Sequence, residues 1–387
     1  MKDLRIAISG YGSISSLGIN KDQIWSKYLD HQHSFRKIKF DKTEEWVSSI
    51  SEEGQEEVGK LYQEKKYQQL DPSVHYAIIA SRMAVKQAGW QNTQGFGINI
   101  GSSRGATHLF EKYHAEFINK GRQKVNPLCS PTTTLGNIAS WVASDLNNSG
   151  PSISHSATCS TSLQSIVNAI AWLQAGFCTH FLAGGSEAPL TDFTIAQMKA
   201  LKIYSSLDRD FPSQSMDLNK SHSSMILGEV AACFCLEQSS ENALAYITGI
   251  GYGTELITHG ASLSVDALCL QKSMKMALDG HDPKSVDIII MHSPGTILGD
   301  SSEMKAIDTI FGNNKPLMTG NKWKIGHTLG ASGALSLEMA LLMLQHNHYI
   351  NVPYLLNKSQ LKEIKKILIN AAGFGGTGLS LLIEKKC

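Results

Sequence analysis

An α/β fold built from two similar halves is what this sequence predicts, and three observations predict it. Short apolar, β-branched runs alternate with longer stretches of helical spacing; residues 5–9, 97–100, 286–291 and 367–370 are such runs. Runs of that length, closed by glycine or serine, read as buried strands. A weak internal repeat is the second observation. Ile6-Ala7-Ile8-Ser9-Gly10-Tyr11-Gly12 is echoed by Tyr246-Ile247-Thr248-Gly249-Ile250-Gly251-Tyr252-Gly253, and Phe181-Leu182-Ala183-Gly184-Gly185 by Ile369-Asn370-Ala371-Ala372-Gly373. Both pairs read as a strand running into a glycine turn, and they occur in the same order, as duplicated halves require. Third, no Pro-rich or Gly/Ser-rich linker intervenes. The expected division is therefore 1–245 and 246–387 within one compact unit.

The elements follow in order. The chain opens directly on a strand, with an apolar stretch too short and interrupted for a signal peptide. Residues 71–88 read as a helix, with Ala77, Ile78, Ala80, Met83, Ala84 and Ala88 at apolar positions and Gly89 as its stop. Residues 151–162 are a short strand running into small polar residues. Leu163, Ile166, Val167, Ile170 and Leu173 then have helical spacing, closed by Gly176. After the 286–291 strand comes the turn Ser293-Pro294-Gly295-Thr296. Further on, a small-residue turn feeds an apolar helix over 334–344. The glycine-rich 371–378 segment is followed by a strand (379–383) rather than a helix. That excludes a dinucleotide site and favours a tight turn offering backbone N–H groups.

Composition narrows the function. The chain has 387 residues, and 35 basic side chains nearly cancel 34 acidic ones, which argues against a nucleic-acid binder. Hydrophobic content of 42% is ordinary for a globular protein. No uninterrupted apolar run reaches the roughly 18 residues of a membrane span, so a cytoplasmic protein is expected. Cysteines stand at 129, 159, 178, 233, 235, 269 and 387. Their number is odd, and neither a CxxC nor a zinc spacing occurs, so no disulfide framework or metal site is expected.

Three residues attract chemical attention. Cys159 falls at or just before a helix start, where partial positive charge favours thiolate and unpaired N–H groups can hold an oxyanion. Small neighbours leave room for a thioester, although a buried structural cysteine fits the local pattern too. His292 closes an apolar strand, where α/β folds place active-site groups. A plain turn histidine stays open there. His327 lies between Gly326 and Gly330, which allow close backbone approach, and a plain turn histidine fits there equally well.

Taken together these segments resemble the elongating β-ketoacyl synthases of fatty acid and polyketide synthesis, over nearly the whole chain and in the family's order. Ile8-Ser9-Gly10-Tyr11-Gly12 with Ser16-Leu17-Gly18 is similar to the family's opening strand and turn. Ala157-Thr158-Cys159-Ser160-Thr161-Ser162 resembles its nucleophile motif, and His292 with Gly299-Asp300 and Glu303 its first histidine motif. Lys322…Gly326-His327-Thr328…Gly330-Ala331…Gly333 resembles its lysine–histidine motif, and Gly373-Phe374-Gly375-Gly376-Thr377 its C-terminal gate. The resemblance implies a thiolase fold, two pseudo-repeated α/β halves in a layered αβαβα core. It also implies a homodimer, or a heterodimer with a related ketosynthase-like subunit. Initiating synthases pair Cys with His and Asn, and degradative thiolases carry a second catalytic Cys. The Cys–His–His set here matches neither.

By the same resemblance, Cys159 takes the acyl group from acyl carrier protein, and the N–H groups of Cys159 and Phe374 form the oxyanion hole. His292 and His327 stabilise the enolate left when malonyl-carrier protein loses CO₂, Lys322 supports His327, and Glu303 is the counter-charge of Lys322. Substrates ride on carrier-bound phosphopantetheine, and no further cofactor or metal is required. Lys65, Lys66, Lys199 and Lys202 are candidates for docking the acidic carrier protein. Two other functions share these motifs: a non-catalytic or chain-length-determining partner subunit, and an acyltransferase using only the cysteine.

The chain also departs from the family pattern. Thr158 stands for the usual Ala, Ser293-Pro294 for Gly-Thr, Ala372 for Phe and Gly378 for Asn. Residues 205–229 lack the usual Arg-Asp-Gly-Phe run; Asn219-Lys220-Ser221-His222-Ser223-Ser224 stands there, and only Gly228-Glu229 survives. These changes point toward a specialised secondary-metabolite substrate.

Overall fold

The structure is a computed structural model that describes residues 4–40, 43–90, 95–257, 263–355 and 362–386; Cys387 lies outside them. The first half contributes strands β1 (Ile6–Ile14), β2 (Arg36–Phe40), β3 (Thr43–Ser48), β4 (Gly97–Gly101), β5 (Ser152–Ile153), β6 (His180–Glu187), β7 (Leu227–Gly228) and β8 (Val230–Glu237). The second contributes β9 (Ala245–Thr254), β10 (Ile288–Ile290), β11 (Leu317–Thr319), β12 (Lys366–Gly373) and β13 (Thr377–Lys385). Ten of them form one sheet in the order β11-β10-β12-β13-β9-β1-β8-β6-β4-β5, while β2, β3 and β7 form a small separate sheet.

Read outward from the centre, the large sheet runs β1-β8-β6-β4-β5 on one side and β9-β13-β12-β10-β11 on the other. The repeated segments sit at equivalent places, β1 against β9 and β6 against β12. The two sides meet through a short antiparallel seam, Ile6↔Ile247, Ala7↔Tyr246 and Ile8↔Ala245.

Helices complete the layers. The Pro72–Ala88 helix, capped by Asp71 and ended by left-handed Gly89 (φ 68°), packs on β1 and β8 within one apolar cluster. The Leu268–Ala277 helix packs on β9 and β13 within another. Between the two half-sheets lie the Thr161–Gln174 and Ser332–His346 helices. Leu163, Ile166, Ile170 and Leu173 are fully buried there, each worth about 1.5–3 kcal/mol relative to exposure. The Ser332–His346 helix is buried without a break from Ser332 to Leu344, which fits a central layer rather than a surface amphipathic helix.

The glycines of the repeat differ from the expected turn. Gly10 and Gly12 lie inside β1, and Gly249, Gly251 and Gly253 inside β9. A Cβ on Gly12 would come 2.4 Å from Ala80 O, and one on Gly251 1.8 Å from Ser273 O. Their role is to let a helix backbone settle directly on the strand. The repeat therefore encodes the same helix-on-strand contact in both halves.

Candidate active site

The nucleophile turn is assembled by local hydrogen bonds. Thr161 Oγ1 accepts from Ala157 N at 2.8 Å and donates to Thr158 O at 2.6 Å, while Ser160 Oγ donates to Ala157 O at 2.8 Å. These bonds hold Thr158 in the left-handed region (φ 51°), a conformation unfavourable for a β-branched residue. Cys159 follows, buried, two residues before the Thr161–Gln174 helix.

The second half supplies the imidazoles. His292 leaves the end of β10, and the next residue, Ser293, has φ 26°. Glu303 accepts from His292 N (2.8 Å), Ser293 N (2.7 Å) and Asn370 Nδ2 (3.2 Å), so its carboxylate fixes the turn that carries the imidazole. One turn of helix later in the chain, Lys322–Ile325 ends at Gly326 (φ 71°) and presents His327. A side chain at 326 would meet Ile226 O at 2.7 Å, so glycine is required there. His327 Nδ1 lies 2.9 Å from Ser332 Oγ, and the two rings stand 5.3 Å apart, edge to face.

Cys159, His292, His327, Glu303 and Phe374 line one cavity of about 560 Å³. Its walls are mainly apolar, including Met225, Leu270 and Ala372, and exposed Leu201, Ile297 and Leu298 rim it. Lys322 lies behind the cavity, 2% exposed. It forms no contact ion pair with Glu303 among the described residues. Instead the carboxylate acts on it through space, while burial lowers the ammonium to about 8. The expected counter-charge is thus electrostatic, and Glu303 spends its oxygens on the His292 turn.

Burial, reinforced by the charge of Lys322, lowers both imidazoles, His292 well below its ordinary value and His327 to about 3. Both are neutral at any ordinary pH. The thiol departs from the expectation of an activated thiolate. Burial, with Glu187 adding to it, pushes Cys159 up to about 12, against the pull of Lys322 and of the Phe374 and Cys159 amides. In the free protein desolvation outweighs the helix start.

The structure also shows contacts that the motifs did not reveal. Glu187, fully buried at the end of β6, accepts from Ser102 Oγ, Ser103 N and Gly330 N, joining the first half to the His327 turn. Lys220 pairs with Asp300 at 2.7 Å, both essentially buried. Ser332, the partner of His327 Nδ1, falls in the small-residue turn before the apolar helix, where no spacing singles it out. Of the expected docking lysines, only Lys202 lines the cavity. Lys199 is engaged by Glu45. Lys66 sits 4.4 Å over the Tyr67 ring and 3.7 Å from Glu64, and Lys65 is exposed nearby.

The chain belongs to the β-ketoacyl synthase family: the model of that family's N-terminal domain matches residues 3–242 and that of its C-terminal domain residues 244–354. It is 28% identical to a 3-oxoacyl-[acyl-carrier-protein] synthase 2 of Staphylococcus aureus, over 99% of each chain. A synthase of the same name from Coxiella burnetii is 25% identical over 100% of this chain and 99% of its own. Among solved structures, a β-ketoacyl synthase from Burkholderia phymatum superposes with a TM-score of 0.85 at 22% identity over the whole of both chains. The ishigamide ketosynthase/chain length factor does so with 0.85 at 21% identity, over 99% of this chain and all of its own.

Proposed function

We propose that the protein carries out decarboxylative Claisen condensation, joining an acyl group held on Cys159 to a malonyl unit on acyl carrier protein. The observation that carries this reading is the pair of neutral imidazoles, 5.3 Å apart, in the same cavity as the buried thiol. Simple acyl transfer has no enolate to stabilise and needs no such pair. A non-catalytic partner subunit has no use for it either.

The acyl thioester enters, the Cys159 sulfur attacks its carbonyl, and the thiol proton ends on the departing pantetheine sulfur. The Cys159 and Phe374 amides, whose pull on the thiol opposes the effect of burial, hold the tetrahedral oxyanion. A malonyl thioester follows. Its C–COO bond breaks, CO₂ leaves, and the electron pair moves onto the thioester oxygen. Ser332 Oγ–H donating to His327 Nδ1 leaves the ring proton on Nε2, free to bond that oxygen; His292 supplies the second donor. The enolate carbon then attacks the acyl carbonyl and releases the Cys159 thiolate. Lys322 adds positive potential behind both imidazoles.

Acyl carrier protein is the substrate carrier in this reading, and a like-folded subunit is the expected partner. A type II ketosynthase has been solved with its acyl carrier protein, and a Xenorhabdus doucetiae ketosynthase with its chain length factor.

Half-reactions test the reading. His292→Ala and His327→Ala should still form acyl-Cys159, seen as a mass adduct, but release CO₂ from malonyl-carrier protein on the order of 10²–10³ times more slowly. Cys159→Gln should lose the adduct and keep decarboxylation. Wild-type CO₂ release by either histidine variant would remove the enolate role from that residue.

A further inference from the structure

The gate beside the nucleophile is a hairpin loop. Gly373 and Thr377 close it as the last pair of β12 and β13, and Phe374, Gly375 (φ 89°) and Gly376 (φ 70°) form its tip. The Phe374 side chain is 38% exposed and lines the cavity. Two left-handed glycines give this tip more than one accessible backbone path.

Thr158 touches it directly. Its Oγ1 lies 3.1 Å from Phe374 O and 2.8 Å from Ala157 O. One hydroxyl proton can serve only one of these carbonyls at a time. The hydroxyl also rests on Gly373, where a Cβ would come 2.0 Å from it. Thr158 is thus held at positive φ immediately before the nucleophile, with its side chain aimed at the carbonyl of Phe374. Alanine there would make the same turn with less strain and would lose this link.

We infer that Thr158 is a positioning residue that latches the Phe374 gate: its hydroxyl holds the Phe374 carbonyl while Cys159 is free and transfers to Ala157 O when the loop moves to admit the malonyl thioester. The inference rests on the proposed condensation. Its consequence is order, since a latched gate keeps malonyl thioester from the histidines until the acyl group is in place. Without the latch, malonyl thioester would lose CO₂ and take up a proton, leaving acetyl thioester and no new carbon–carbon bond.

The test compares Thr158→Val, Thr158→Ala and Thr158→Ser in the full chain, with malonyl-pantetheine as the probe. Thr158→Val and Thr158→Ala should raise CO₂ release by unacylated enzyme about two- to twelve-fold over wild type, the equivalent of the roughly 0.5–1.5 kcal/mol of a lost hydrogen bond. Amide exchange at Gly375 and Gly376 should quicken by a similar factor. Thr158→Ser should restore both. The alanine variant guards against misfolding of the valine one, and a melting curve checks each. Unchanged uncoupled CO₂ release with unchanged exchange in both Val and Ala variants would overturn the latch, as would failure of Ser to restore them. If wild type neither acylates Cys159 nor decarboxylates malonyl-pantetheine, the condensation itself fails, and with it the latch's consequence for substrate order. The exchange data alone then show whether the hydroxyl holds the loop.

Discussion

At the scale of single residues, burial rather than any one hydrogen bond sets the chemistry of the cavity. Neither imidazole titrates near its ordinary value, so CO₂ release should show no inflection between about pH 5 and 7. Lys322 is different. Its ammonium is lowered from 10.5 to about 8, so the cation is present below that pH and lost as pH rises through it. If its field supports the enolate, CO₂ release measured from pH 5 to 10 should fall through about pH 8. Lys322→Met should be slower throughout and lack that fall. A wild-type inflection near 6.5 instead would mean that an imidazole titrates. The cysteine and both histidines drew notice in the sequence because each sits where local pattern is informative (before a helical run, at the end of an apolar strand, between glycines), but only the family resemblance joined them into one set, which the structure brings to one cavity. Glu187 and Ser332 drew none. The bonds of Glu187 reach Ser103, 84 residues away, and Gly330, 143 away, and no local spacing reports such pairs. The thiol's upward shift was hidden for the same reason, since burial belongs to the folded molecule.

At the scale of elements, the 205–229 segment shows how a weakened motif can keep a structural anchor. It lacks the family's Arg-Asp-Gly-Phe run, yet Lys220 reaches Asp300 beside the start of the Ile297–Phe311 helix, and Asp300 also accepts from Met216 N and Gly295 N at 2.8 and 3.0 Å. Lys220→Met would leave that carboxylate buried without its cation. It should cost about 3–5 kcal/mol of stability, read as a lowered midpoint in chemical denaturation. A shift under 1 kcal/mol would show that the carboxylate takes up a proton or a new partner at little cost. Strands and helices were largely legible in kind, and their ends less so. The glycines of β1 and β9 signal turns in the sequence because glycine in isolation does so; only the helix lying across them shows why a side chain is forbidden.

For the molecule as a whole, the proposed condensation makes the cavity mouth the place where a carrier protein would deliver its substrate. Four lysines are candidates for that contact, and they are not equivalent. Lys202 stands on the rim, while Lys199 is already neutralised by Glu45. Lys202→Glu should therefore raise the KM for carrier-bound malonyl more than Lys65→Glu or Lys66→Glu does, and the difference should shrink at high salt. A larger effect at Lys65 or Lys66 would move the docking surface to those two residues.

The two central helices hold equivalent posts in the two halves, and each begins at the same chamber. Cys159 precedes the first, and His327 shortly precedes the second. If the halves descend from one duplicated ancestor, the two helix starts were once interchangeable. Duplication freed each copy from doing everything, so that one could specialise in carrying the electrophile and the other in preparing the nucleophile. On the proposed condensation neither half would hold a complete set of reagents, and a mutation in one would be felt as a kinetic defect in the other's step. Selection on such a catalyst acts on how the copies meet as much as on either copy itself.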